Sequence, residues 1–163
     1  MSGIIVADTG PLIALAILDL LKIMPELFSD IFITEGVLEE ALKDESKPGA
    51  AAISRAVQDG WISKHEIEDS SFIKDLAKLL DRGEAESLAL AKQINAIALI
   101  DEKRGRKVAL SYSIPMTGTA AILIKAKQSG YIKEVSPLLE TLSKHGYRLS
   151  SRLVEQVLKL SGE

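Results

Sequence analysis

The sequence predicts an α/β fold with three layers, in which a mostly parallel central sheet lies between helices. Short apolar runs alternate along the chain with stretches that have helical periodicity. One run, at residues 97–100, is apolar throughout, which is typical of a parallel strand covered on both faces. Parallel neighbours need crossover connections, and these connections place helices on both sides of the sheet.

The first half of the chain opens with a strand at residues 4–7, which ends at Asp8. The Thr-Gly-Pro sequence that follows ends the strand and begins a helix, because proline suits a first helical turn. That helix carries a wide apolar stripe. The remaining elements of this half are a strand at 31–33, a helix that begins at Thr34, a charged loop at 43–49, a helix at 50–58 and an edge strand at 61–65.

The second half continues the alternation of strands and helices and ends in helices alone. Its predicted elements are helices at 72–80 and 84–94, a strand at 97–100, a basic helix from 103, a strand at 114–116, a helix that ends at Ser129, a helix at 136–145 and a final helix from Ser150 to about 160. In such sheets, ligands bind beyond the carboxyl ends of the strands. The site is therefore expected where the strands end.

The composition indicates one globular domain. The chain has 163 residues, of which 47% are apolar and 26% are charged. We expect a single domain over residues 1–163, with a core to about residue 132 and a C-terminal helical extension from about 133.

The chain has no cysteine, so disulfides, thiolate zinc sites and a cysteine nucleophile are excluded. Only two histidines occur, His65 and His145, and they are too far apart for a histidine-rich zinc motif. A metal site in this protein must therefore be built mainly from oxygen ligands.

We expect a cytoplasmic protein without a membrane span. The N-terminus has no basic segment followed by a long apolar stretch, and no run approaches about 18 apolar residues. The formal net charge is −3, so nucleic-acid binding would depend on local basic patches or bound cations.

Two aspartates follow strands of the predicted sheet. Asp8 ends the first strand and Asp101 ends the strand at 97–100. Because the carboxyl ends of parallel strands meet at one edge of a sheet, we expect these two side chains at the same edge.

Two pairs of glutamates begin helices that face the same edge. Glu84 and Glu86 stand at the start of one helix, and Glu39 and Glu40 lie one turn into another. One member of each pair is expected to reach the aspartates, and the spacing alone leaves open which member does so. Four carboxylates would then converge on one cleft.

Converging carboxylates raise one another's pKa values, and a cation is the usual means of neutralising them. Hard oxygen ligands suit Mg²⁺ or Mn²⁺, and these ions can be completed by water and substrate phosphate. The cluster therefore predicts metal-assisted hydrolysis of a phosphodiester.

Each acid also has a purely structural interpretation. A helix cap explains Asp8 and Asp101, since each precedes a predicted helix. Complementarity to the helix dipole explains Glu84 and Glu86, and a solvated helix face explains residues 39–40. The shared placement of these acids at one edge favours the functional interpretation.

Several motifs resemble those of the PIN-domain family. The sequence Ile-Val-Ala-Asp-Thr-Gly-Pro-Leu-Ile, at residues 5–13, is similar to the opening strand and first acid of PIN domains. Val37 followed three residues later by Glu40 resembles their second motif. Residues 81–91 and 99–106, together with the Met-Thr-Gly-Thr turn at 116–119, are similar to a PIN-like branch of uncharacterised bacterial and archaeal proteins.

The resemblance implies a PIN-like α/β/α fold and an Mg²⁺- or Mn²⁺-dependent endonuclease that acts on RNA. Carried onto this chain, it implies catalytic roles for Asp8, Glu40, Glu84 and Asp101, with Glu86 as a further candidate metal ligand. Many PIN domains have aspartate at the third and fourth acidic positions and a Thr-x-Asp motif. In this chain Glu84 or Glu86 and the Asp-Glu pair at 101–102 stand there.

Polar and basic residues near these acids are candidates for substrate binding. Thr9, Thr117 and Thr119 offer hydroxyl or backbone N–H groups, although a helix cap also explains Thr119. A basic helix follows Asp101, and its candidate phosphate ligands are Lys103, Arg104, Arg106 and Lys107, of which Arg106 is preferred.

The resemblance further implies partners. Proteins of this type are often the toxin half of a toxin–antitoxin pair, so an antitoxin protein is expected beside RNA. A homodimer or larger assembly is expected from the family's habit of pairing and from the apolar stripe at residues 11–28, which would need cover from a second copy.

Two other functions fit the same sequence. The first is a PIN-fold module that binds nucleic acid or protein without catalysis. The second is a receiver-like or phosphoryl-transfer protein with Asp8 or Asp101 as phospho-acceptor, because those folds also place acids at strand ends. The second lacks an Asp-x-Asp motif after the first strand and a Gly-x-x-x-x-Gly-Lys phosphate loop.

Overall fold

A computed structural model describes residues 3–163. Its centre is a five-stranded sheet with the order β3-β2-β1-β4-β5, in which every neighbouring pair is parallel. The strands are β1 (Ile4–Ala7), β2 (Asp30–Ile33), β3 (Ser63–Lys64), β4 (Ile97–Leu99) and β5 (Met116–Thr117). The predicted parallel sheet is confirmed, with β1 at its middle.

Helices cover both faces of this sheet. They are α1 (Thr9–Ile17), α2 (Met24–Leu27), α3 (Glu35–Leu42), α4 (Ala50–Gln58), α5 (Ser71–Ala77), α6 (Arg82–Gln93), α7 (Lys103–Ser111), α8 (Thr119–Gln128), α9 (Ser136–Lys144) and α10 (Ser151–Ser161), with a short 3₁₀ helix at Leu21–Ile23. Over residues 3–163, none of these helices has the length and apolar character that a membrane crossing requires. The three-layer α/β/α architecture is confirmed.

The strand period of two places alternate side chains in two separate cores. Ile5 and Ala7 of β1 lie in the core beneath α1, α3, α4, α8, α9 and α10. Val6, between them, lies in the core formed with α5, α6 and α7. All three side chains are fully buried, so β1 is covered on both sides and only its ends reach the surface.

The first helix is shorter than its apolar stripe suggests. It ends at Ile17, and Asp19 has a positive φ of 56°, a left-handed conformation that stops the helix. The chain then re-enters the core through Leu21 and continues to Phe28. Leu12, Leu15 and Leu18 of this stripe are buried within the single chain, so most of its large side chains do not need cover from a second copy. Ile13 and Ile17 are partly exposed, and the expected dimer stays a prediction.

The C-terminal helices are joined to α8 by the side chain of Glu163. Its carboxylate accepts hydrogen bonds from the backbone N–H groups of Val135, at 2.7 Å, and Ser136, at 3.0 Å, and from Lys127 Nζ at 2.9 Å. These contacts lower the pKa of Glu163 to about 2, with the bond from Val135 as the largest cause. One carboxylate therefore holds the start of α9 and the end of α8 against the end of α10.

We expect Glu163→Gln to lower the melting temperature by a few degrees at neutral pH. The folded pKa of Glu163 lies below its unfolded value, so its stabilising effect is present above about pH 4.5 and is lost as the pH falls toward 2. Thermal unfolding at pH 7 and near pH 3 measures this, with Glu155→Gln, an exposed position on α10, as the matched control. An equal loss at both pH values would contradict the assignment.

Candidate active site

The parallel pairing of β1 with β4 brings Asp8 and Asp101 to one edge of the sheet. Ala7 is opposite Leu99, and the backbone N–H of Asp8 donates to the Leu99 carbonyl at 3.0 Å. Both aspartates line one cleft of about 660 Å³ beyond the strand ends. The acidic residues that line this cleft are Asp8, Glu40, Asp81, Glu84, Asp101 and Glu102.

Asp8 is the most deeply buried acid of this group, with 5% of its surface exposed. Its pKa is raised to about 7, and burial is the largest cause. A hydrogen bond from the backbone of Thr9 lowers the pKa, and the negative charges of Glu84, Asp81 and Glu40 contribute to the increase. Asp8 stands at the N-cap position of α1, yet its side chain makes no capping hydrogen bond to the described part of the chain. Helix capping therefore does not explain this carboxylate.

Glu40, rather than Glu39, faces the cleft. Its Oε2 accepts a hydrogen bond of 2.9 Å from the hydroxyl of Thr9. The preceding glutamate points elsewhere, because Glu39 Oε2 accepts a bond of 2.6 Å from Arg82 Nη1. Thr9 therefore lies between the first and second acids of the cluster and orients Glu40.

Gly83 lets the acids approach the start of α6. A Cβ atom at this position would lie 2.9 Å from Glu40 Oε2 and 3.4 Å from Asp8 Oδ1. Any larger residue would therefore displace the carboxylate of Glu40. The glycine that precedes Glu84 is part of the geometry of the site.

The start of α6 separates Glu84 from Glu86. Glu84 is buried, and its pKa is raised first by burial and then by Asp81, whose Oδ1 accepts from the Glu84 backbone N–H at 2.9 Å. Glu86 lies outside the cleft: its Oε1 accepts from the Gly36 N–H at 2.9 Å and its Oε2 from Arg82 Nε at 2.6 Å. The structure therefore brings Glu84 to Asp8 and assigns Glu86 to the contact between α3 and α6.

Asp101 is held by the start of α8. Its Oδ1 accepts from the Thr119 N–H at 2.8 Å, and its Oδ2 accepts from the Thr119 hydroxyl at 2.5 Å. Asp101 is therefore the residue that caps α8. Thr119 is the first residue of that helix, and its hydroxyl binds Asp101 instead of capping the helix itself.

Two of the predicted substrate ligands lie beside the cleft and not in it. Within residues 3–163, the cleft lining includes Thr9, Thr119 and Lys103 but neither Arg106 nor Thr117. Arg106 Nη1 donates to the Ile100 carbonyl at 2.9 Å and so supports the end of β4. The backbone carbonyl of Thr117 accepts from the Ile100 N–H at 2.9 Å.

The sequence pattern did not indicate three polar residues that line the cleft as part of the site. Asp81 is one of them, and the motif Asp-Arg-Gly-Glu was the available signal for it. Tyr147 and Arg148 come from the C-terminal link between α9 and α10. No local signal marks them, because Tyr147 reaches its partner Gly10 across 137 positions of sequence.

The residues of the cleft fit a hard divalent cation by their chemistry. The charges of Glu40 and Glu84 raise the pKa of Asp8, and the charge of Glu40 also raises the pKa of Glu84. Carboxylate oxygens are the ligands that Mg²⁺ and Mn²⁺ prefer. In the described residues, no three Asp, Glu or His side chains are grouped closely enough to hold one ion together. Mg²⁺ commonly binds through one or two carboxylates and keeps several waters, so this donor set suffices in kind.

We expect Asp8→Asn to stabilise the metal-free protein at alkaline pH. The folded pKa of Asp8 is about 7 and its unfolded value is about 3.9, so the cost of its charge is absent below about pH 4 and complete above about pH 7. The variant should raise the free energy of unfolding by on the order of 3 kcal/mol near pH 8 and by little near pH 4.

Urea unfolding in the presence of a chelator measures this difference. Asp59→Asn, at an exposed aspartate after α4, is the control and should change neither value. Destabilisation by Asp8→Asn near pH 8 would show that the buried carboxylate is compensated within the metal-free protein.

The comparison with known families agrees with this architecture. A family model described as a PIN domain matches residues 4–163, which is nearly the whole chain. None of the curated proteins compared with the chain matches it. The resemblance that the Asp8 motif and residues 81–106 predicted is confirmed, and the chain belongs to the PIN-domain family.

Proposed function

We propose that this protein is a metal-dependent endoribonuclease of PIN type, which hydrolyses RNA phosphodiesters at the cleft formed by Asp8, Glu40, Glu84 and Asp101. PIN domains are generally metal-dependent nucleases. The observation that carries the proposal is the buried carboxylate of Asp8, which is surrounded by further carboxylates. Buried carboxylates with strongly raised pKa values in a cleft are typical of functional sites.

One or two of the carboxylates of Asp8, Glu40 and Glu84 would bind Mg²⁺ or Mn²⁺ directly, and water molecules would complete the coordination. A bound ion would supply a Lewis acid beside the phosphodiester and lower the pKa of the attacking water. Glu86 is left out of this ligand set in the proposal, because its two carboxylate oxygens bind Gly36 and Arg82.

The chain's own residues have defined tasks in this proposal. Thr9 fixes Glu40 through its hydroxyl, and Thr119 fixes both oxygens of Asp101. Lys103 and Arg148 line the same cleft and supply positive charge for the phosphates of the substrate. These two basic side chains therefore place positive charge at the cleft, although the net charge of the chain is negative.

A binding module with weak or no catalysis is the second candidate function. The observation that favours it is the double hydrogen bond from Thr119 to Asp101, which engages both oxygens of the fourth acid. Such a module would bind RNA or a protein without cutting. The receiver-like alternative is not carried further, since the PIN family accounts for the acids at the strand ends.

The proposal includes the location and the partners of the protein. We propose a cytoplasmic toxin that is controlled by an antitoxin protein and that forms a homodimer. The family resemblance implies these properties. Because most of the apolar stripe is buried within one chain, the family resemblance is the main support for the dimer. Light scattering of the purified protein measures the assembly directly.

We expect Asp8→Asn to reduce Mn²⁺-dependent cleavage of a mixed-sequence RNA by roughly 100-fold or more while the protein stays folded. The reason is the loss of the most buried anionic ligand. Calorimetric titration of Mn²⁺ in the same samples should show binding to wild type and weaker binding to the variant. Full activity in the variant would remove Asp8 from the site.

A matched pair on α3 tests the choice between adjacent glutamates. We expect Glu40→Gln to lower cleavage and Mn²⁺ affinity, by roughly 10-fold or more, because its carboxylate lines the cleft. Glu39→Gln should leave both near wild type, since that side chain is 60% exposed and faces Arg82. Equal effects of the two changes would contradict the assigned orientation of α3.

A further inference from the structure

The cleft extends beyond its carboxylates along an apolar wall. This wall belongs to the same cavity of about 660 Å³ as the six acids. It is formed mainly by the C-terminal part of the chain, and its members are Pro11, Leu123, Leu139, Leu142, Leu149 and Leu153. The apolar wall is larger than a metal site needs, because each water around an ion takes only about 30 Å³.

A hydrogen bond ties the C-terminal part of the wall to the turn that follows the first acid. The hydroxyl of Tyr147 donates to the carbonyl of Gly10 at 3.1 Å. Gly10 lies two residues after Asp8, in the first turn of α1. The link that carries Arg148 and Leu149 is therefore tied to the same turn that follows the first acid.

We propose that the apolar wall is a subsite for one unpaired nucleobase of a single-stranded RNA whose adjacent phosphate lies at the carboxylates. This inference rests on the proposed function. A base offers an apolar face to the wall, and its ribose phosphate reaches the polar half of the same cavity. A paired base is stacked within its duplex and cannot enter such a cleft, so an RNA that binds here has to present this base unpaired.

Two basic side chains beside the wall favour a nucleotide as the occupant. Lys103 and Arg148 line the cavity and complement phosphate. Leu153 is 36% exposed and Leu149 is partly exposed, so these two side chains form the accessible part of the wall, and the other leucines are buried behind them. A nucleotide combines an apolar face for this part of the wall with a phosphate for the two basic side chains.

The test measures binding of a short mixed-sequence RNA and of the same chain with abasic residues. Fluorescence anisotropy with Ca²⁺ gives the two dissociation constants for wild type and for Leu149→Ala/Leu153→Ala. Leu160→Ala is the matched control, because Leu160 lies on the same helix as Leu153, is 68% exposed and is outside the lining of the cavity. Cleavage with Mn²⁺ is followed separately on the same proteins.

We expect wild type and the control to bind the normal RNA about tenfold more tightly than the abasic chain, since burial of roughly 60 Å² of apolar surface by one base corresponds to about that factor in the dissociation constant. The double variant should lose most of this preference, and Leu153→Ala alone should lose part of it. If the double variant does not fold, the partial loss of preference in Leu153→Ala provides the test. RNA annealed to its complement should bind wild type as weakly as the abasic chain.

Four outcomes separate the two proposals. Cleavage without any preference for bases, or a preference that the double variant retains, would overturn the subsite and leave the nuclease in place. A preference without cleavage would overturn the nuclease and support the subsite as a binding surface. Neither binding nor cleavage would overturn both. A wild-type oligomer that the double variant converts to monomers would show that a second copy covers the wall, against the inference.

Discussion

Asp8 follows a strand whose every side chain between Ile5 and Ala7 is buried, so the first acid of the cleft is placed where water is scarce. The cost of its charge raises its pKa to about 7 and makes its ionisation depend on what else enters the cleft. Glu84 is subject to the same effect, and Glu40 and Asp81 add to the negative field. The fold therefore creates a negative potential at this edge of the sheet, which attracts positive charge.

This cluster of negative charge requires α3 and α6 to lie close together, because Glu40 is on α3 and Glu84 is on α6. Glu86 binds the backbone of Gly36 at the start of α3, and Arg82 joins Glu86 to Glu39. These bonds lie on the side of α3 and α6 that faces away from the cleft. The neighbouring residues on the same two helices, Glu40 and Glu84, line the cleft with Asp8. The two pairs of glutamates thus divide into two residues that join the helices and two that face the cleft.

The strands, most helices and the edge that carries the site followed from local sequence, because burial on both faces and turn residues are local signals. The choices between Glu39 and Glu40, and between Glu84 and Glu86, did not follow. They depend on which face of each helix packs against the other, which is set by contacts such as that of Glu86 with Gly36 across 50 positions. The end of α1 was also unforeseen, since the apolar stripe continues past the left-handed Asp19.

The C-terminal segment is joined to the N-terminal acids from two directions. Asp101 caps α8 through Thr119, and Tyr147 ties the following link to Gly10. Burial raises the pKa of the Tyr147 phenol to about 12, so it remains a hydrogen-bond donor throughout the physiological range. Tyr147 and Arg148 of this segment line the same cavity as Asp8. Because it forms one side of the cavity, changes in this segment act on the shape of the site while the acids on the sheet edge stay in place.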